Sequence, residues 1–244
     1  MQTASGAKLN AGRILLLLLF LGAGWYFWDT AALLPLKLLV VMMHESGHAI
    51  ATLLVGGSVE HITLRLDQSG ACLSSLPPGI FRKIFVFSGG YLGSAVVGAG
   101  LLLATFRFRL RRWVLGATCV WLGVMGILYA RDPFTLAFCV GTSVVLGLAA
   151  RFLPQGAVDV LNLFLAAFTA LYALFDLRDD LWDSSIRSLS DAALLAQHTW
   201  VPAIAWAALW TLLGVLLLGW AAYISMHARP ASPFSSMSMP SRRF

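Results

Sequence analysis

The stretch L-L-P-L-K-L-L-V-V-M-M-H-E-S-G-H-A-I-A-T-L-L-V, Leu33 to Val55, is apolar and long enough to cross a bilayer, yet it holds His44, Glu45 and His48. Ionisable side chains are costly in hydrocarbon and mark functional sites, so three of them on one helix need a common explanation. Residues four apart share a helix face, so both imidazoles reach a single metal ion, and Glu45 projects one residue further round towards a water on that ion. The string H-E-S-G-H therefore reads as a zinc hydrolase motif inside a membrane. The competing explanation, a buried polar cluster that ties helices together, needs dedicated partners for all three side chains.

Composition agrees with the membrane setting. Of 244 residues, 59% are hydrophobic and 11% charged, with a mean hydropathy of +0.81. Soluble domains carry about 25% charged residues, so the expected class is an all-α polytopic membrane protein. The net charge is +6, but the basic residues sit at the ends of apolar segments, notably Arg107, Arg109, Arg111 and Arg112. That placement suits the phosphate headgroups of a lipid bilayer and excludes a nucleic-acid partner. Cys72, Cys119 and Cys139 show neither metal spacing nor a disulfide framework.

Apolar segments fall at Arg13 to Trp28, Ala31 to Val55, Phe81 to Phe106, Trp113 to Ala130, Phe134 to Ala150, Ala157 to Phe175 and Val201 to Ser225. About seven transmembrane helices are expected, separated at Pro77-Pro78, Arg131-Asp132-Pro133 and Pro154-Gln155-Gly156. The first segment, preceded by Lys8 and Arg13, reads as a retained helix because no small-residue cleavage site follows it. Three regions result: an N-terminal tail with the first helix (1–30), a membrane-embedded domain (31–225) and a disordered tail rich in Ser, Pro and Met (226–244). With seven helices the Lys and Arg residues divide evenly between the two sets of loops, so the positive-inside rule gives no orientation.

Between the second and third helices, V-E-H-I-T-L-R-L (Val59 to Leu66) alternates, Asp67-Gln68-Ser69-Gly70 supplies a turn, and Ala71 to Leu76 returns. This predicts a short β-hairpin. It serves either as a simple connector or as an edge strand that captures an unwound substrate segment. On the third helix, Gly89, Gly90, Gly93, Ser94 and Gly98 form small-xxx-small pairs that let a neighbouring backbone approach.

A catalytic zinc takes three protein ligands and keeps one position for water, so a further donor is required. The acidic run after Phe175 offers Asp176, which lies at the depth of His48 if the second and sixth helices run the same way, with Asp180 and Asp191 as alternatives. Asp191 also reads as a first-turn carboxylate with Ser190 as N-cap. Asp159 and Asn162 belong at the opposite side of the bilayer from His48.

His44 to Ala49, the string Gly89 to Ser94, the cluster Asp176, Asp179 and Asp180, and Ser190-Asp191-Ala192 together resemble the B subfamily of site-2-protease-like membrane metallopeptidases, in its compact bacterial, plant and fungal branch. The likeness runs from about residue 31 to about residue 225. It implies a zinc-dependent endopeptidase that cuts membrane-protein substrates within or beside a transmembrane segment, in the bacterial cytoplasmic membrane, with a site reached from the cytosol. The L-D-G motif that usually carries the third ligand there is missing. Its nearest equivalents are Phe175-Asp176-Leu177 and Ser190-Asp191-Ala192. That departure supports the alternative function, a non-catalytic membrane scaffold that retains the protease fold.

Overall fold

A computed structural model describes residues 10–182 and 190–227, with side chains between 173 and 182 described only at Phe175. The helices are α1 (Ala11–Tyr26), α2 (Leu34–Leu54), α3 (Ile80–Leu102), α4 (Arg111–Tyr129), α5 (Pro133–Phe152), α6 (Gln155–Trp182), α7 (Asp191–Ala196) and α8 (Ala203–Met226). The expected tail after residue 227 lies outside the described residues. The breaks follow local chemistry. Asp132 caps α5, its carboxylate accepting from Thr135 N at 2.8 Å with Pro133 in the first turn, and Asn10 caps α1 by accepting from Arg13 N at 3.1 Å.

Among the described residues five segments are long and apolar enough to span a membrane: Ile80–Arg107, Arg111–Tyr129, Pro133–Phe152, Gln155–Tyr172 and Ala203–Met226. The difference from the expected seven lies in α1 and α2. The 16 residues of α1 reach only about 24 Å against a hydrocarbon core of about 30 Å. The 21 residues of α2 are interrupted by polar side chains and enclosed by other elements, with Lys37, His44, Glu45 and His48 all buried. α2 is thus the centre of the bundle, covered by α3, α6 and the hairpin.

Small residues bring α3 onto α2. A side chain added at Gly47 would strike the Gly89 carbonyl, and one at Gly89 would lie 2.8 Å from both the Ala51 methyl and the Gly47 carbonyl oxygen. The small-xxx-small pattern therefore does what its spacing predicts.

The hairpin pairs β1 (Ser58–Leu64) with β2 (Gly70–Ser75) antiparallel, in register Ile62↔Cys72 and Leu64↔Gly70, with an irregularity between Val59 and His61. The end of β1 is embedded, while β2 stays half exposed. Ile62 and Leu64 are buried, Ile62 bridges to Ala130, and Leu64 N donates to Thr135 Oγ1 at 2.8 Å. At the turn Gln68 takes a left-handed φ of 72°, and Asp67 Oδ1 accepts from Ser69 N at 3.0 Å. Gly70 lies flat on α2: a Cβ there would meet Val41 Cγ1 at 2.5 Å and Glu45 Oε1 at 2.7 Å. One turn further along the same face, Lys37 Nζ donates to Gln68 Oε1 at 2.8 Å and stands 4.7 Å over the Trp28 ring.

At the other end of α3, Arg13 lies over the Phe106 ring and Arg111 pairs with Asp159. Asp159 and Asn162 are thus at the far end from His48, as expected. Arg13 belongs to the same end as Arg107 to Arg112, so the even division of basic residues between the two faces does not hold.

Gln68→Ala should loosen the hairpin, because a hydrogen bond to a charged donor contributes about 1.5–3 kcal/mol. Limited proteolysis in detergent is expected to cut between β1 and β2 faster in the variant. An unchanged rate would show that the Lys37 contact does not hold the turn.

Candidate metal centre

His44 and His48 lie one turn apart on the face of α2 that meets α3. Their Nε2 atoms are 3.0 Å from each other, and Asp191 Oδ2 is 3.0 Å from the first and 2.9 Å from the second. Among the described residues these form the His/Cys/Asp/Glu group able to share a metal ion. Asp191 arrives from α7, where Ser190 caps the helix by accepting from Ala193 N at 3.3 Å. Ala192 and Leu195 bury themselves with Tyr91, Ala207 and Trp210, which fixes the height of α7 against α3 and α8. The capping role and the meeting with the histidines are therefore both true of this turn. The side chains of Asp176 and Asp180 lie outside the described residues.

The donor chemistry tests whether a cation fits. His48 Nδ1 is 2.7 Å from the Val86 carbonyl oxygen, which can only accept, so Nδ1 carries a proton. In the neutral tautomer Nε2 is then a bare lone pair. It is aimed at a carboxylate oxygen and at a second imidazole nitrogen. Lone pairs and a carboxylate converging within 3.0 Å repel one another unless a positive charge lies between them. Ligand atoms about 2.0–2.1 Å from a tetrahedral ion stand about 3.3 Å apart, close to the spacing observed. The residues fit zinc, and the Val86 carbonyl supplies the outer hydrogen bond that ligating histidines use.

The surroundings hold this geometry. The Tyr91 ring meets His44 edge-on at 4.9 Å and stacks on Trp210 at 4.9 Å, while Trp210 Nε1 donates to Ser88 Oγ at 2.9 Å. A methyl group at Gly90 would collide with Nε2 of both histidines, so the absence of a side chain there keeps the space between the ligands open. Glu45 is buried one residue beyond His44, with its carboxylate beside Gly70 of the hairpin. Cys72 on β2 is near enough to Glu45 and Asp191 that burial and these two carboxylates push its thiol up to about 12. His61 and His198 stand apart from the cluster. Residue patterns had placed Gly90 in a packing stripe and left Lys37 unremarked. The Val86 carbonyl has no sequence signal, because every residue has one.

A bundle of helices long and apolar enough to span a membrane, around two buried histidines and a half-buried aspartate, defines an integral membrane protein with the donor set of a metallohydrolase. The family model described as Peptidase M50B-like matches residues 16–221, and the chain belongs to that family of membrane metallopeptidases. No curated protein and no solved structure matches the chain.

Gly90→Ala is expected to lose bound zinc, since its methyl occupies the space between the ligating atoms. Gly100→Ala, which meets nothing within 4 Å on the same helix, should keep it. Metal analysis after zinc loading checks this, and equal zinc in the two variants would contradict the assignment.

Proposed function

We propose that the protein is an intramembrane zinc metalloprotease that hydrolyses peptide bonds in or next to transmembrane segments of membrane proteins. The observation that carries the reading is the convergence of His44 Nε2, His48 Nε2 and Asp191 Oδ2 within 3.0 Å of one another, beside a buried glutamate. Asp191 is the proposed third ligand, in place of the aspartate of an L-D-G motif. With a carboxylate at hand, the missing motif no longer favours a scaffold.

His44, His48 and Asp191 would hold the zinc, which when bound would lower the pKa of a water towards about 7 and polarise a carbonyl. Glu45 is the general base: it accepts the proton of the attacking water and returns it to the leaving amine. Its burial against Gly70 keeps the carboxylate out of bulk solvent and fixes its distance from the hairpin.

A helical substrate satisfies its carbonyls internally, so the segment to be cut must unwind and find new hydrogen bonds. The hairpin offers them on one side. The outer edge of β1 is occupied by Ala130 and Thr135, whereas β2 has no second strand beside it among the described residues. An extended substrate segment adding to β2 would lie beside Gly70 and Cys72, the strand positions nearest Glu45.

Glu45→Gln should retain zinc and lower cleavage of a model single-span substrate by about a hundredfold or more. A variant that still cuts at the wild-type rate sinks the mechanism. Separately, Asp191→Ala is expected to lose zinc as completely as His44→Ala, with Asp176→Ala and Asp180→Ala keeping it. Retention by Asp191→Ala would return the third ligand to the acidic run of α6.

A further inference from the structure

α3 begins beside the His-His-Asp cluster and ends in a second concentration of polar groups that the proposed reaction does not use. Leu103–Arg107 form a π-helical turn, closed by Phe108 N donating to the Leu103 carbonyl at 2.9 Å. Wide turns of this kind often mark functional positions. Arg109 follows with a left-handed φ of 60°, unusual for a residue with a long side chain. The bend turns the chain from α3 into α4 and gathers a row of arginines, Arg109 exposed and the rest half-buried, where α1, α4, α6 and α8 meet the turn.

Most of these arginines have work within the fold. Arg112 donates to the carbonyls of Ala150, Arg151 and Leu153 at 2.8, 3.1 and 2.6 Å, closing the end of α5. Arg111 pairs with Asp159 at 3.2 Å and donates to Gln155 at 3.0 Å. Arg13 donates to the Ser225 carbonyl at 3.2 Å and lies over Phe106, within Coulombic reach of Arg109, Arg111 and Asp159. Arg107 and Arg109 differ. Neither makes an ion pair among the described residues, and Arg107 Nη1 is buried with no hydrogen-bond partner. The hydroxyls of Thr105 and Ser225, both buried at this end, also lack partners. Unmatched buried donors are rare in folded proteins and point to a missing acceptor.

Charge points the same way. Among the described residues, Arg13, Arg107, Arg109, Arg111 and Arg112 gather at this end around a single carboxylate, Asp159. Phe108, Leu110, Trp113 and Phe152, all exposed, alternate with the arginines. A free anion has no use for that apolar rim, whereas a lipid lays its acyl chains along it and its headgroup among the guanidiniums.

We propose that this end of the bundle binds the phosphate of an anionic phospholipid, with Arg107 and Arg109 as direct ligands and Arg13 flanking them. The site is separate from the metal centre and does not depend on the protease reading. The test uses the full chain in detergent, mixed with phosphatidylglycerol, phosphatidylcholine or inorganic phosphate. Lipid retained per chain is read by native mass spectrometry, and the melting temperature is read alongside. The wild type should retain phosphatidylglycerol about tenfold over phosphatidylcholine, and inorganic phosphate should not raise the melting temperature. Arg107→Gln with Arg109→Gln should abolish the preference. The exposed Arg109→Gln alone, which removes no buried contact, should weaken it several-fold. Arg82→Gln with Lys83→Gln, an equal loss of charge beside the hairpin, should leave it intact. Equal retention of both lipids by the wild type, an unchanged preference in the Arg107 and Arg109 variants, an equal loss in the Arg82 and Lys83 pair, or stabilisation by inorganic phosphate alone would each overturn the proposal.

Discussion

Four ionisable side chains buried on one helix impose the constraint from which the rest of the arrangement follows. Lys37, His44, Glu45 and His48 are each too costly to leave in an apolar interior without partners, so other elements must wrap α2 and supply them. The hairpin turn brings Gln68 to Lys37, α3 brings the Val86 carbonyl to His48, and α7 brings Asp191 to both histidines. Each contact fixes a different neighbour in height and rotation. Packing and chemistry are therefore one problem here: the polar groups that would act on a substrate also decide where the surrounding elements sit.

Glycine makes this wrapping possible. Gly47 and Gly89 bring two backbones into contact, Gly90 keeps clear the space into which both imidazoles point, and Gly70 lets the hairpin lie against Glu45. At Gly90 and Gly70 the cost of adding a side chain falls on a group implicated in the site. The small residues thus set the dimensions of the centre as well as the packing of α2 on α3.

Much of this could be read in the residues. The H-E-S-G-H string on an apolar helix fixed His44 and His48 on one face, because four-residue spacing and hydrophobicity are local properties. The hairpin followed from alternation and turn chemistry, and its strands lie within a residue or two of the expected limits. Other features depended on the fold. Asp191 stood among the alternatives to Asp176, but its place beside the histidines depends on how Ala192 and Leu195 pack against Tyr91 and Trp210. Lys37 passed unremarked because its partner, Gln68, lies beyond a turn whose depth only the fold decides. Among the described residues five segments have the length and apolarity of a span against about seven expected, because α1 is short and α2 carries polar side chains.

The most direct measurement of the central claim is X-ray absorption at the zinc edge on the metal-loaded protein in detergent. A first shell of nitrogen and oxygen at about 2.0–2.1 Å, with the outer-shell signature of two imidazoles, is expected from His44, His48, a carboxylate and a water. A sulfur scatterer at about 2.3 Å would place Cys72 on the metal and contradict the His-His-Asp centre, as would a protein that binds no zinc after loading.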